Sequence, residues 1–192
     1  DLGVDDPVQA GLLISNSEVG RGSLKVEVLI YRLICSNGMI APGMGSKNYH
    51  VGGRNEIFGN DVEEFLRDET KQKTDEAFWM KIQDTVRAAM QQTSFTKIIQ
   101  RFKMTKERNI EGEVVKSVEQ VSKRFGFSQN ENNGILKNLI EGRSLTQFGL
   151  VNAVTRTASD VESYDRATEM ERIGGELMVL PERELVPILN AA

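Results

Sequence analysis

Gly11-Leu-Leu-Ile-Ser-Asn-Ser-Glu-Val-Gly-Arg-Gly-Ser-Leu-Lys-Val-Glu-Val-Leu-Ile-Tyr-Arg-Leu-Ile-Cys-Ser36 is the stretch whose reading decides the fold. A short apolar run at 11–14 meets a turn carrying Gly20 and Gly22, and a long strand-like segment rises out of it from Leu24. That order is a β-hairpin signature, and Asn37-Gly38 adds a second turn signal at its end. Leu24, Val26, Val28 and Ile30 alternate with Lys25 and Glu27, which gives one core face and one polar face. From Leu29 to Cys35 the second face turns apolar as well, as in a strand covered on both sides. Thirteen residues at about 3.3 Å each would run roughly 43 Å, so a bulge or bend is expected near Arg32.

Downstream the period changes. Residues 37–60 scatter glycines among polar residues and read as loop, with a short strand around Tyr49. Asn60 or Asp61 is a good N-cap for a helix running to about Met90, with residues 67–75 as a solvated turn or exposed helical stretch. Phe78, Ile82, Val86, Ala89 and Met90 form its apolar stripe. A short element holds Ile98, Ile99 and Phe102, and helices are predicted at 113–125 and 135–141. The last long helix spans about 146–174, with a break near Ser159-Asp160 and Gly174-Gly175 as its C-cap. The class is α+β: a long β-hairpin or small antiparallel sheet packed on helices, with a helical C-terminal half. A hairpin and Gly-rich loop region at 1–60 and a mainly helical region at 61–192 are expected to form one domain.

Composition narrows the function classes. An apolar share of 39% with 27% charged residues over 192 residues suits a globular chain that buries roughly 70% of its unfolded surface. A net charge of −4 excludes a protein that is basic all over, so any nucleic-acid contact needs a local patch. Cys35 is the sole cysteine and reads as a small buried hydrophobe, with no intrachain disulfide possible. No membrane-length apolar run or signal peptide is visible, and a cytoplasmic protein with no membrane role is expected. The chain opens at Asp1 without a methionine and close to a strand, so an upstream segment is expected.

No catalytic motif stands out. His50 is the only histidine, and with one cysteine a zinc site would need several carboxylates. Asp61, Glu63, Glu64, Asp68 and Glu69 suit the start of a helix rather than a metal cluster. Glu162 and Arg166 have the spacing of a surface i,i+4 pair. The glycines at 20 and 22 and at 43 and 45 precede no Lys-Ser/Thr and are turn residues. One cluster is different: Lys97, Arg101, Lys103, Lys106 and Arg108 sit with a single acid, Glu107, and with Phe95 and Phe102 interleaved. Cations for phosphates with aromatics for bases is the composition of single-strand-binding surfaces, and equally of a solvated helix face whose aromatics point inward. Arg21, Lys25, Arg32, Lys47 and Arg54 around the hairpin, and Lys123, Arg124 and Arg143, are places where such a patch would extend.

The wording of Asp5-Asp-Pro-Val, of the turn at 16–24, of Tyr31-Arg-Leu-Ile-Cys-Ser-Asn-Gly-Met-Ile40 and of His50-Val-Gly resembles a phage- and plasmid-encoded family, domain of unknown function number 932. Leu145-Thr-Gln-Phe-Gly-Leu-Val-Asn-Ala-Val-Thr-Arg156 and Tyr164-Asp-Arg-Ala-Thr-Glu-Met-Glu-Arg-Ile-Gly-Gly175 are similar too, so the likeness runs from about residue 5 to 185. It implies a setting among the replication and recombination genes of mobile elements in a bacterial host. In outline the chain is then similar to ring-forming single-strand annealing proteins, by fold-level analogy. Three readings follow. The first is a non-enzymatic, homo-oligomeric protein that binds single-stranded DNA through Arg101, Lys103, Lys106 and Arg108, with Arg21, Arg32 and Arg54 as second choices. The second is a structural or protein-interaction component with no nucleic-acid role, which the acidic balance favours. The third is an enzyme using His50 with Asp61 or Glu64. No cofactor or metal is expected in the first reading.

Overall fold

β2 (Leu24–Arg32) organises the sheet. In the computed structural model, which describes residues 8–15, 24–32, 37–41, 47–49, 68–89 and 91–192, β1 (Val8–Ser15) lies antiparallel along one edge of β2, from Val8 opposite Arg32 to Ser15 opposite Lys25. β3 (Asn37–Ile40) and β4 (Lys47–Tyr49) share the other edge, β3 against residues 29–32 and β4 against residues 24–26. The predicted hairpin is therefore present. Its turn at 16–23, the expected bend beyond Arg32, Cys35, and most of the Gly-rich loop lie outside the described residues.

Val26, Val28 and Ile30 are buried, as their alternation requires. Glu27, read as part of a polar face, is buried too, at 4% exposure. It is tolerated there because Arg172 binds it through both nitrogens of its fork, at 2.8 and 2.6 Å. Asn37-Gly38 is not the turn itself: it opens β3, paired with Arg32 and Tyr31. Gly38 lies close under Glu171: a Cβ there would stand 2.7 Å from its carboxylate oxygen, so the Glu171 side chain would have to shift.

Seven helices occur among the described residues: α1 (Asp68–Ala89), α2 (Gln92–Lys106), α3 (Val114–Phe125), α4 (Gln129–Glu141), α5 (Gln147–Ala158), α6 (Tyr164–Val179) and α7 (Glu182–Leu189). α1 continues through the polar stretch after residue 68 as exposed helix; its expected cap and first turn lie outside the described residues. The short element around Ile98 is in fact the fifteen-residue α2. α4 begins six residues earlier than its apolar residues indicate. Ser128 and Glu131 form a capping box there: the Glu131 N–H donates to Ser128 Oγ, and the Ser128 N–H donates to the Glu131 carboxylate.

The long C-terminal helix is two helices, broken at the expected place. Gly174-Gly175 does not end the second, which runs on to Val179 with both glycines buried. Gly174 serves close packing instead: a Cβ there would meet Thr155 Cγ2 of α5 at 2.5 Å. α5 is the central helix. Ten of its twelve residues are buried, so it presents core on every side rather than one stripe. Val28, Ile30, Met39 and Ala41 of the sheet belong to the same apolar cluster as Phe102, Val118, Leu139, Leu150, Met170 and Leu185 of the helices. One core thus joins the strands to the helical half. Residues 111–113 close it by donating from three backbone N–H groups to Leu189 and Ala191 oxygens at 2.7–2.9 Å.

Arg166 has a different partner from the one its spacing suggests. It binds Glu131 at 2.7 and 2.9 Å and Glu169 at 2.7 Å, and it lies over the Phe127 ring. The Arg166 hydrogen bond is the main reason the Glu131 carboxyl falls to about 2, against an ordinary 4.5; the same contact raises Arg166. A lowered carboxylate stabilises the fold above its unfolded value, and that contribution fades as pH drops from 4.5 toward 2. Glu131→Gln keeps the capping geometry and loses the charge. It is expected to cost about 2 kcal/mol at neutral pH, after allowing for solvent screening. Urea midpoints should show the gap to wild type closing as pH falls through that window. A gap independent of pH would mean the ion pair contributes nothing.

Candidate functional site

α2 presents its cations on more than one face. At 3.6 residues per turn, Lys97, Arg101, Met104 and Thr105 fall along one side, while Lys103 lies about 200° from Arg101; Arg108 follows two residues after the end of α2. The inward side is fixed by Ile98, Phe102 and Thr105, all buried, with Phe102 packed edge-on against Phe148 of α5 at 5.8 Å. Thr105 Oγ1 donates to the Phe102 carbonyl at 2.7 Å, so its hydroxyl proton is occupied within the helix. Sequence reasoning grouped four cations as one phosphate-binding set, and the structure sorts them.

Arg101 and Arg108 converge. Together with Met104 and Thr105 they form one wall of a cleft of about 230 Å³, whose opposite wall is Met178, Val179 and Leu180 at the end of α6. Arg108 is held in place: its Nη1 donates to Gln147 Oε1 at 3.2 Å. Gln147, fully buried at the start of α5, is oriented by donating its own amide to the Leu177 carbonyl at 2.7 Å. The guanidinium is thus tied through one amide to the strand of backbone that forms the facing wall. Lys106 lies with its ammonium 4.7 Å from the centre of the Phe148 ring, a cation–π contact rather than an open position. Lys103 is exposed on the other side of the helix.

The other expected positions divide similarly. Arg21 and Arg54 lie outside the described residues, as does the side chain of Arg32, whose backbone ends β2. His50, Asp61 and Glu64 also lie outside them. Arg124 is committed to Glu184 and stacks on Phe125, which removes it from any extension of the α2 face. Among the described residues no group of three His, Cys, Asp or Glu is placed to hold a metal ion. No described helix is long and apolar enough to cross a membrane. A second depression, about 420 Å³, lies where α3 meets α4; it mixes Glu119 with Lys123 and amides, and so has no single sign of charge.

Gln147, Met104 and the residues 178–180 were not singled out from sequence. Helical period alone separates Arg101 from Lys103. Nothing local marks Gln147, because a polar residue after a Thr N-cap reads as surface until its burial is known.

Residues 1–173 match the family model described as Domain of unknown function (DUF932). The chain belongs to that family. No curated protein and no solved structure matches it. The DUF932 match takes in α2, Arg101, Arg108 and Gln147, and ends before residues 178–180. The family therefore covers the cationic wall of the cleft, and the facing apolar wall is contributed by the chain beyond it.

Proposed function

We propose that this protein is a non-enzymatic single-stranded-DNA-binding protein, acting in the annealing steps of mobile-element recombination or replication. One observation carries the reading: Arg101 and Arg108 line the same cleft, and among the described residues no carboxylate lines it with them. Five cations against one acid give residues 97–108 a net charge of +4 inside a chain of −4. An acidic protein that concentrates cations on one helix and the residues just after it creates a local attraction for phosphate, while its net charge elsewhere repels it. Arginine suits the role, since its planar fork binds phosphate oxygens in pairs.

The test is fluorescence anisotropy with a labelled single strand, a duplex and an RNA over a salt titration. Binding is expected to prefer the single strand. Arg101→Ala combined with Arg108→Ala should weaken it and flatten the dependence of log affinity on log salt by about 1.4, the value for two lost phosphate contacts on single-stranded DNA. Lys103→Ala, on the opposite face, should leave that slope nearly unchanged. Absence of binding at low salt, or an unchanged slope in the double variant, overturns the reading.

A further inference from the structure

We propose that the cleft between α2 and the end of α6 holds one unstacked nucleobase of the bound strand, without reading its identity, while the flanking phosphates lie on Arg101 and Arg108. The inference deepens the single-strand reading and rests on it. Three features of the cleft lead here.

Size comes first. At about 230 Å³ the space is smaller than the roughly 300–1,000 Å³ that encloses a drug-sized ligand or cofactor. It suits a single planar ring. The surface offered to that ring comes next. Met104, 54% exposed, forms one lip, and Met178, Val179 and Leu180 form the other wall. Methionine is flexible and polarisable, and its sulfur makes favourable contacts with aromatic rings of any substitution pattern. An exposed methionine that lines the same cleft as three apolar residues is a place for a flat, apolar face.

The polar groups explain why the base would not be read. Thr105, the uncharged polar side chain among the described lining residues, directs its proton at the Phe102 carbonyl. No uncharged side chain among the described lining residues therefore keeps a free donor for a Watson–Crick edge. The charged groups at the rim are not exhausted. Arg101 makes no hydrogen bond or ion pair with any described residue. Arg108 has one donor engaged of the five a guanidinium carries. Two cations, apolar side chains beside them and no uncharged donor left free among the described lining residues form a site for backbone plus base face, which every nucleotide shares.

The experiment compares an ordinary single strand with one of equal length built from abasic units, which keeps the phosphates and removes the bases. Wild-type protein is expected to bind the abasic strand about tenfold more weakly with an unchanged salt slope, the loss a single stacked base represents. Met104→Ala, at an exposed position that leaves folding intact by its urea midpoint, should weaken the ordinary strand by a similar factor. It should not weaken the abasic strand further. Strands of different base composition should bind alike. If the abasic strand binds as well as the ordinary one, or Met104→Ala binds both as wild type does, no base occupies the cleft and the phosphate reading alone survives. If neither strand binds, the single-strand reading fails and this inference with it.

Discussion

Gly149→Ala is expected to destabilise the protein by about 3–5 kcal/mol, although helix propensity alone favours alanine over glycine by about 1 kcal/mol. Gly149 lies in the first turn of α5 and is buried. A Cβ there would stand 1.7 Å from the Ser144 carbonyl oxygen and 2.8 Å from its carbon. Both are backbone atoms, so no side chain can swing aside. The loop that carries them is anchored in turn: the Ile110 N–H donates to the Leu145 oxygen and the Gln147 N–H to the Arg108 oxygen, each at 2.8 Å. Forcing that loop outward costs about 1–3 kcal/mol as overpacking. It also breaks the N-cap, in which the Gly149 N–H donates to Thr146 Oγ1 at 3.1 Å, worth about 1 kcal/mol. The remainder comes from strained backbone bonds around Arg108. Gly126→Ala is the control. Gly126 has φ of 69° with nothing within 4 Å, so alanine there should cost only the left-handed penalty, about 1–2 kcal/mol. Urea unfolding of both variants decides the matter, and a Gly149→Ala loss no larger than that of Gly126→Ala would show that the close approach is not sustained. Because the displaced loop leads into Arg108 and Gln147, the same variant should also weaken single-strand binding.

What the sequence made legible follows from how local each cause is. The hairpin was readable because alternation and turn residues act over a few positions, and α3 because its valines recur at helical spacing. The break between α5 and α6 was readable from Ser159-Asp160 for the same reason. α4 was cut short because its first turn, Gln129 to Asn133, holds no apolar residue; only the Ser128 and Glu131 pair marks its start. Gly174-Gly175 misled because a glycine that ends a helix and one that lets two helices touch look alike until the neighbour, Thr155, is in view. The site divides the same way. The cations of α2 were visible as composition, whereas their sorting by face, and the buried Gln147 that fixes Arg108, depend on contacts 39 residues apart in the chain.

The contact farthest apart of these in sequence, Glu27 with Arg172, is where the second large effect is expected. Arg172→Met should cost about 3–5 kcal/mol, because it removes the cation that, among the described residues, pairs with a carboxylate only 4% exposed, while preserving most of the side-chain volume. The loss belongs mainly to the charge left behind, not to the bond. Glu27→Gln in the same chain should therefore recover much of it, and the double variant should be more stable than Arg172→Met alone. Glu171, beside Arg172 and against Gly38, gives the pH dependence its sign. Burial already raises its carboxyl above the ordinary range, and Arg172 acts to lower it. Without Arg172 the carboxyl rises further. A raised carboxyl stabilises the folded state below its unfolded value and loses that contribution as pH climbs through the folded one. Arg172→Met should accordingly lie closest to wild type in acid and fall away toward neutral pH, the same direction as Glu131→Gln but over a window above the ordinary carboxylate value of 4.5 rather than below it. Thermal unfolding across that range separates the two. A deficit that stays constant with pH would mean Arg172 acts by packing its aliphatic stem between β2 and α6, and that the joint between sheet and helices is apolar rather than ionic.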